Sequence, residues 1–431
     1  MALFRILSLD GGGTWSLIQV DALIDMFGEN TCGHEILCNY DLVASNSGGS
    51  TVLGALIHNM SLSQIREIYS SETSRRALFA RLAPWKGLLD LVVRFLTFGY
   101  VGARYDSSKK RTRISNVLED DARRRVVDLP GWIGDDSPQF LICSYDYDLN
   151  RAKFFRSDPL SAAASFPRGD DTTLADAVHA SSAAPVQYFN SPAVFGDHRY
   201  WDGACGGYNN PTLAAVIEVL ANAQRYNTSA AEIRVLSIGT GIIALPLGNP
   251  GDAWKRFMRA LRALLKLRPK DPHDNLVVMP KKRNILRDVG KFADSILEDP
   301  PDAASFQAHI LLGGGVPPDE AHPVANGPIV RLNPMVRPRR VGDRWEAPEG
   351  LEPEEVKLIS DLPADALKQK HVKKIENLAQ QWLQNGVFNQ PIRYSRENST
   401  AEIGHHRYED AKAQAQVFGL CPSPVEVAKA A

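Results

Sequence analysis

Ser47, Asp202 and the run Gly11-Gly12-Gly13 are the residues of this sequence whose types can carry out acyl-transfer chemistry together. A nucleophilic serine must stand where backbone donors reach the developing oxyanion, and a sharp strand-to-helix turn puts it there, at a helix N-terminus. Ser45-Asn46-Ser47-Gly48-Gly49 has that form, with serine in place of the first glycine of the usual G-x-S-x-G elbow. The turn needs a small side chain at that place, and serine is small. Gly11 to Gly13 offer unobstructed N–H groups, which an oxyanion hole requires of a loop beside the nucleophile. Asp202, within Tyr200-Trp201-Asp202-Gly203-Ala204, offers a carboxylate. Within hydrogen-bond reach of Ser47 it would accept the hydroxyl proton during attack and return it to the leaving group. Taken singly, each segment also has a plainer reading: a glycine-rich helix start, a phosphate-binding loop or tight turn, and an Asp-Gly turn.

The elements needed to bring these residues together can be picked out along the chain. Residues 4 to 9 form a short apolar run that ends at Asp10 and the glycines, and from Thr14 the residues Leu17, Ile18, Val20, Leu23, Ile24 and Phe27 recur at helical spacing, with Thr14 or Ser16 as cap. The pattern repeats with a strand over Tyr40 to Ala44, the Ser47 turn, and the apolar run Val52 to Ile57. Further strands are expected at Phe140 to Tyr145, Lys153 to Arg156 and Ile233 to Ile238. Such alternation predicts an α/β sheet covered by helices, and in a parallel sheet both glycine turns open on the edge where ligands bind. Residues 246 to 326, broken by Pro and Gly clusters, are expected to be an insertion or lid. A helix over Ala364 to Leu383 is expected to pack on the core through Leu367, Val372, Ile375, Leu378, Ala379, Trp382 and Leu383.

From about residue 5 to about residue 385 the sequence resembles the patatin-like phospholipase family. Leu9-Asp10-Gly11-Gly12-Gly13 is similar to the family's oxyanion loop, Ser45-Asn46-Ser47-Gly48-Gly49 to its nucleophile elbow, and Asp202-Gly203-Ala204 to its Asp-Gly-Gly/Ala motif, with Asn209-Asn210-Pro211 following as expected. Ala177 to Pro185 and Leu236-Ser237-Ile238-Gly239-Thr240-Gly241 also match family signatures in order. Two departures are Ser45 itself and Thr14-Trp15-Ser16, where many relatives carry an arginine and a glycine. The resemblance implies a three-layer α/β/α fold with a mainly parallel central sheet. It implies a catalytic domain over 1–390 and a C-terminal extension over 391–431. The implied chemistry is a Ser-Asp dyad, Ser47 attacking an ester of a phospholipid or galactolipid and Asp202 serving as base, with no histidine, metal or other cofactor.

A three-residue site would call on His34, His179 or His198, but an α/β-hydrolase orders its triad Ser, acid, His, and His179 precedes Asp202 within a helical pattern. No acidic loop suited to calcium is visible. Asp10-Gly11-Gly12-Gly13-Thr14 also resembles the first phosphate loop of actin-like ATPases, yet the later glycine motif Ser237 to Gly241 lacks the aspartate such a protein needs. The other rival is an inactive member that binds lipid or a partner.

Contact with membranes has its own candidate. Trp254, Lys255, Arg259, Arg262 and Lys266 belong to a stretch rich in basic residues and free of acidic ones, with an ordered apolar side. Such a helix either seats the protein on anionic lipid or packs its apolar stripe on the protein. Leu88 to Tyr100 is a second apolar stretch, expected in the core or along an acyl-chain pocket. A hydrophobic content of 44%, a charged content of 23% and a net charge of -1 fit an ordinary globular chain and give no reason to expect a nucleic-acid partner. The N-terminus lacks the pattern of a secretory signal, and Cys32, Cys38, Cys143, Cys205 and Cys421 lack ligand spacing. A cytoplasmic protein with reduced thiols, touching the membrane surface at most peripherally, is the expectation.

Overall fold

The computed structural model describes residues 3–82, 103–134, 137–163, 171–186, 188–241, 243, 245–246, 276–277, 301–318, 324–341, 344–396 and 399–423. Strands β1 (Phe4–Leu9), β2 (Leu42–Ser45), β3 (Gln139–Asp146), β4 (Arg151–Arg156), β5 (Ala193–Phe195), β6 (His198–Asp202), β7 (Ile233–Ile238) and β8 (Ile329–Leu332) build one sheet in the order β5-β6-β3-β2-β1-β7-β8, with β4 also against β3. The pairs β3-β2, β2-β1, β1-β7 and β7-β8 are parallel, and β4, β5 and β6 join antiparallel.

Alternate residues of the parallel strands enter two different cores, as a sheet covered on both faces requires. Leu7, Leu9, Val43, Phe140, Ile142, Leu236 and Ile238 face one cluster, completed by helices α1 (Leu17–Phe27), α2 (Ser47–Ile57), α3 (Ser107–Leu118) and α4 (Leu174–Ser181). Phe4, Ile6, Leu42, Ala44, Leu141, Ile233 and Val235 face the other, covered by α5 (Thr212–Ala221) and by Ala308 and Leu312 of the 301–312 segment. This is the three-layer α/β/α arrangement with a mainly parallel sheet.

Helix α6 (Gln369–Leu383) buries Val372, Ile375, Leu378, Ala379 and Trp382, the expected stripe, but starts later than Ala364. Pro363 to Leu367 form a strap instead. The carbonyls of Ala364 and Asp365 accept hydrogen bonds from the Thr14 N–H (2.9 Å) and the Thr14 hydroxyl (2.7 Å), and the Asp365 carboxylate accepts one from Tyr105. Beyond residue 390 the chain packs back on both cores, Ile392 and Ile403 on one face and Tyr408 on the other, and the Tyr40 hydroxyl donates to the Leu420 carbonyl at 2.7 Å. The Leu88 to Tyr100 and Trp254 to Lys266 stretches, and most of the 246–326 segment, lie outside the described residues. No helix among the described residues is long and apolar enough to cross a membrane.

Candidate functional site

Strand register brings the separated motifs to one level. Ser45, the last residue of β2, pairs with Ile142 of β3, and two positions further along β3 Ser144 pairs with Asp202 of antiparallel β6. Asp202 therefore stands beyond the end of β2, level with Ser47. On the other side of β2, Leu9 pairs with Ser45, so the glycine loop leaves β1 at the same height.

The loops touch. A Cβ added to Gly11 would lie 2.9 Å from Ser47 Cβ, and one added to Gly48 would lie 2.7 Å from the Gly13 nitrogen and 2.3 Å from Ser16 Oγ. No side chain larger than hydrogen fits at either place. Ser47 takes φ of 49°, a left-handed conformation that costs a residue with a Cβ about 1–2 kcal/mol and is held only where neighbours enforce it. Ser181 Oγ is one enforcer, accepting the Ser47 N–H at 2.9 Å. Ser181 also shares a hydrogen bond with Ser50 Oγ at 2.8 Å, and Ser50 with Ser45 Oγ at 2.9 Å. The serine that replaces the first elbow glycine thus sits buried in a chain of hydroxyls that braces the turn.

Asp202 is 3% exposed. Its Oδ1 accepts from the Ala204 N–H at 2.9 Å and from Asn46 Nδ2 at 3.1 Å, its own N–H donates to the Ala183 carbonyl at 3.0 Å, and the Ser47 side chain lies close enough to its carboxylate to lower its proton affinity. Burial pushes the Asp202 carboxyl above the ordinary carboxylate range, against the lowering pull of Ser47, Ala204, Asn46 and the Lys110 cation. A carboxylate with raised proton affinity, beside a serine hydroxyl, is able to take up that serine's proton.

Backbone N–H groups lie on both sides of Ser47. The first N–H groups of a helix have no partner within it, which leaves Gly48 in the opening turn of α2 and Gly13 at the start of the Gly13–Ser16 3-10 turn with N–H groups to offer, and Gly12 precedes that turn. The Gly11 N–H, in contrast, donates to the Asn209 carbonyl at 2.8 Å. Gly11 therefore contributes the space against Ser47 rather than a free donor. At the Thr14-Trp15-Ser16 departure, Trp15 is buried and its Nε1 donates to the Pro363 carbonyl at 3.4 Å, so this chain ties its glycine loop to the strap.

The histidines are engaged elsewhere. His34 Nε2 bonds the Ile57 carbonyl (2.8 Å), His198 Nδ1 lies 3.1 Å from Asp146, and His179 Nε2 lies 3.4 Å from Ser107 Oγ, its ring held neutral by burial and by the cations Lys110 and Arg111. Asp146, Asp148 and His198 bring ligand-type atoms within 4.8 Å of one another. Asp148 is paired with Arg199, and Asp146 Oδ1 accepts the N–H groups of Asp148 (3.0 Å) and Leu149 (2.9 Å). Sequence reasoning missed Ser181, Ala183 and Lys110. Ser181 and Ala183 lie in a segment already singled out as a family signature, while Lys110 carries no signal of its own.

Residues 7–216 match the family model described as patatin-like phospholipase. Among solved structures, VipD from Legionella pneumophila is similar at 11% identity, covering 88% of this chain and 67% of that one with a TM-score of 0.34, a level that supports no conclusion by itself. No curated protein matches the chain.

Proposed function

Since this chain belongs, over residues 7–216, to the patatin-like phospholipase family of lipid hydrolases, we propose that it is a phospholipase A-type lipid acyl hydrolase with Ser47 as nucleophile and Asp202 as base. The observation that carries this reading is the placement of the Ser47 side chain beside a buried carboxylate of raised proton affinity, at a residue whose backbone is held at φ of 49°.

Ser47 Oγ attacks the ester carbonyl carbon while its proton passes to Asp202. The carbonyl oxygen becomes an oxyanion facing the N–H groups of Gly12, Gly13 and Gly48, with the N-terminus of α2 adding its partial positive charge. As the tetrahedral adduct collapses, the ester C–O bond breaks and the leaving alkoxide takes the proton from Asp202. A water then attacks the acyl-serine, Asp202 accepts its proton, and the second collapse releases the fatty acid and returns the proton to Ser47. One carboxyl group serves both half-reactions, so no histidine is needed. The substrate is a membrane glycerolipid, phospholipid or galactolipid, reached from the membrane surface. The basic stretch containing Trp254, Lys255, Arg259, Arg262 and Lys266 supplies the contact in this reading.

The test is fatty-acid release from mixed phospholipid and galactolipid vesicles, run with a fluorophosphonate label. Wild type is expected to release acid and take the label, Ser47→Ala to do neither, and Asp202→Asn to lose turnover. Release and labelling that persist in folded Ser47→Ala overturn the reading.

A further inference from the structure

Thr240, just past the end of β7, has no part in the reaction as written, yet the sheet makes it the counterpart of Ser47. Leu9 of β1 pairs with Ser45 of β2 on one side and with Ile238 of β7 on the other. Gly11, Ser47 and Thr240 each follow two residues beyond that common level. Because β1 lies between β2 and β7, Ser47 and Thr240 flank the glycine loop from opposite sides. Both press on it: a Cβ added to Gly11 would lie 2.9 Å from Ser47 Cβ, and one added to Gly12 would lie 2.7 Å from Thr240 Cβ.

The Thr240 side chain is 3% exposed, and its Oγ1 donates to the Gly11 carbonyl at 3.1 Å. Its backbone is pinned on both sides, the Gly239 N–H on the Leu332 carbonyl and the Gly241 N–H on Asn333 Oδ1, each at 2.8 Å. The neighbouring peptides of the loop are held by other groups. Gln19 Nε2 donates to the Asp10 carbonyl at 2.9 Å, the Gly11 N–H to the Asn209 carbonyl at 2.8 Å, and the Trp15 N–H to the Gly12 carbonyl at 3.1 Å. The peptide between Gly11 and Gly12 is left to Thr240. In a trans peptide the C=O and the N–H are coplanar and point opposite ways. A Gly11 carbonyl drawn toward Thr240 and β7 thus turns the Gly12 N–H toward β2 and Ser47.

We propose that Thr240 is a positioning residue for the reaction at Ser47, its hydroxyl holding the Gly11 carbonyl so that the Gly12 N–H meets the developing oxyanion. A peptide between two glycines has no Cβ on either side to restrict its rotation, so its orientation has to be imposed from outside. Turned over, the same peptide would set a carbonyl oxygen against the oxyanion and replace a donor by a repulsion. A donor already in place needs no reorganisation when charge develops, which is where its contribution to the rate comes from. Thr240 itself touches neither the substrate nor Ser47 in this scheme. Its effect is confined to the steps in which negative charge builds on the ester oxygen.

This rests on the Ser47–Asp202 reading, and the experiment separates the two. The full chain as wild type, Thr240→Val, Thr240→Ser and Ser47→Ala is compared for kcat and KM on p-nitrophenyl butyrate. Affinity is measured for a trifluoromethyl ketone, which adds to a nucleophilic serine to give an oxyanion. If wild type and folded Ser47→Ala behave alike, the dyad reading fails and this proposal falls with it. If Ser47→Ala alone is inactive, Thr240 is judged by its own variants. Valine keeps the shape and loses the hydroxyl, so kcat is expected to fall by about ten- to hundredfold, somewhat less than for loss of a whole oxyanion donor. KM is expected to stay, and ketone affinity to fall by the same factor as kcat. Serine restores the hydroxyl and is expected to recover most of the loss. A folded Thr240→Val with wild-type kcat, or one whose loss lies in KM with ketone affinity intact, overturns the proposal, as does a Thr240→Ser no better than Thr240→Val. Should Thr240→Val not fold, wild type labelled with 15N-glycine decides. Formation of the ketone adduct is expected to move the Gly12 amide proton downfield, as a short charge-assisted hydrogen bond does, and an unmoved Gly12 signal overturns the proposal.

Discussion

Asp10 and Asp202 lie at the same edge of the sheet, one just past β1 and the other at the end of β6, and they are 4% and 3% exposed. Burial pushes both carboxyls above the ordinary carboxylate range. They differ in what answers the charge. Asp10 meets the buried Arg331 through both guanidinium branches, Nη1 to Oδ1 at 3.0 Å and Nη2 to Oδ2, and Arg331 is further fixed by Ser237 Oγ at 2.7 Å. Asp202 is held by a backbone N–H and an amide, with the Ser47 side chain and Lys110 acting on it without a salt bridge. A carboxylate covered by a fork of charged donors is a strut between β1 and β8. One held by neutral donors is left uncovered by a cation, as a carboxylate proposed as a base must be.

The largest effect expected from this contrast is on catalysis. Ser47→Ala and Asp202→Asn should each lower lipid hydrolysis by on the order of 10^4-fold or more, since groups that act as one unit fail together. Asp10→Asn should leave labelling of Ser47 detectable in whatever fraction folds. The contrast breaks if folded Asp10→Asn is as inactive as Asp202→Asn.

Stability should move the other way. Asp10→Asn strands the Arg331 charge, and breaking a buried pair from one side costs about 3–5 kcal/mol. Urea titration at pH 7 would show the lower midpoint, and a double variant with Arg331→Met should recover part of the loss. An unchanged midpoint in Asp10→Asn would mean that Arg331 finds water or another partner.

Ser181→Ala is expected to act on both quantities modestly. It leaves the Ser47 N–H without its acceptor at 2.9 Å, a loss of about 1 kcal/mol for a partly buried donor. It also releases the brace on a left-handed residue, so the labelling rate should fall by about tenfold while the acid midpoint stays put. A shifted midpoint would show that the hydroxyl network sets the affinity of Asp202 for its proton as well as the shape of the turn.

Much of this geometry could be anticipated from local patterns, and the failures have a common cause. Strands β1 and β7 occupy the expected residues because each is a short apolar run bounded by polar or glycine breaks. Helix α2 starts at Ser47, well before the apolar run that signalled it, because its first turn is Ser47-Gly48-Gly49-Ser50. Those residues are selected by crowding against the glycine loop rather than by hydrophobic spacing. Asp202 was recognisable as a motif, while its height relative to Ser47 depends on the β3–β6 register, a tertiary fact. Residues 364 to 367 fall inside the helix expected from apolar spacing, yet the carbonyls of the 363–367 strap are drawn off by Thr14 and Trp15. Lys110 and Arg331 were unreadable for the same reason. Nothing in the sequence separates Lys110 from Lys109, and Arg331 lies 321 residues from the aspartate it pairs with.

The smallest effect is the sharpest test of the contrast, because it predicts a gain. Asp202 has its folded-state affinity for the proton raised above the unfolded value, so the stability it contributes is present below the unfolded pKa of about 3.9 and is lost as pH rises through the folded value. At pH 7 the wild-type fold therefore bears the cost of burying this carboxyl. Asn at 202 keeps the acceptor for Ala204 and Asn46, turns its amide toward Ser47 as a donor, and removes the charge. Lys110, relieved of its counter-charge, gives up its proton at a lower pH and becomes neutral rather than stranded. Asp202→Asn should thus melt higher than wild type at pH 7, by on the order of 2 °C for about 1 kcal/mol, and the difference should close as pH falls toward 4. Calorimetry across that range checks it. A loss of stability at pH 7 would place Asp202 with Asp10 among the struts, and would leave Ser47 without the base proposed for it.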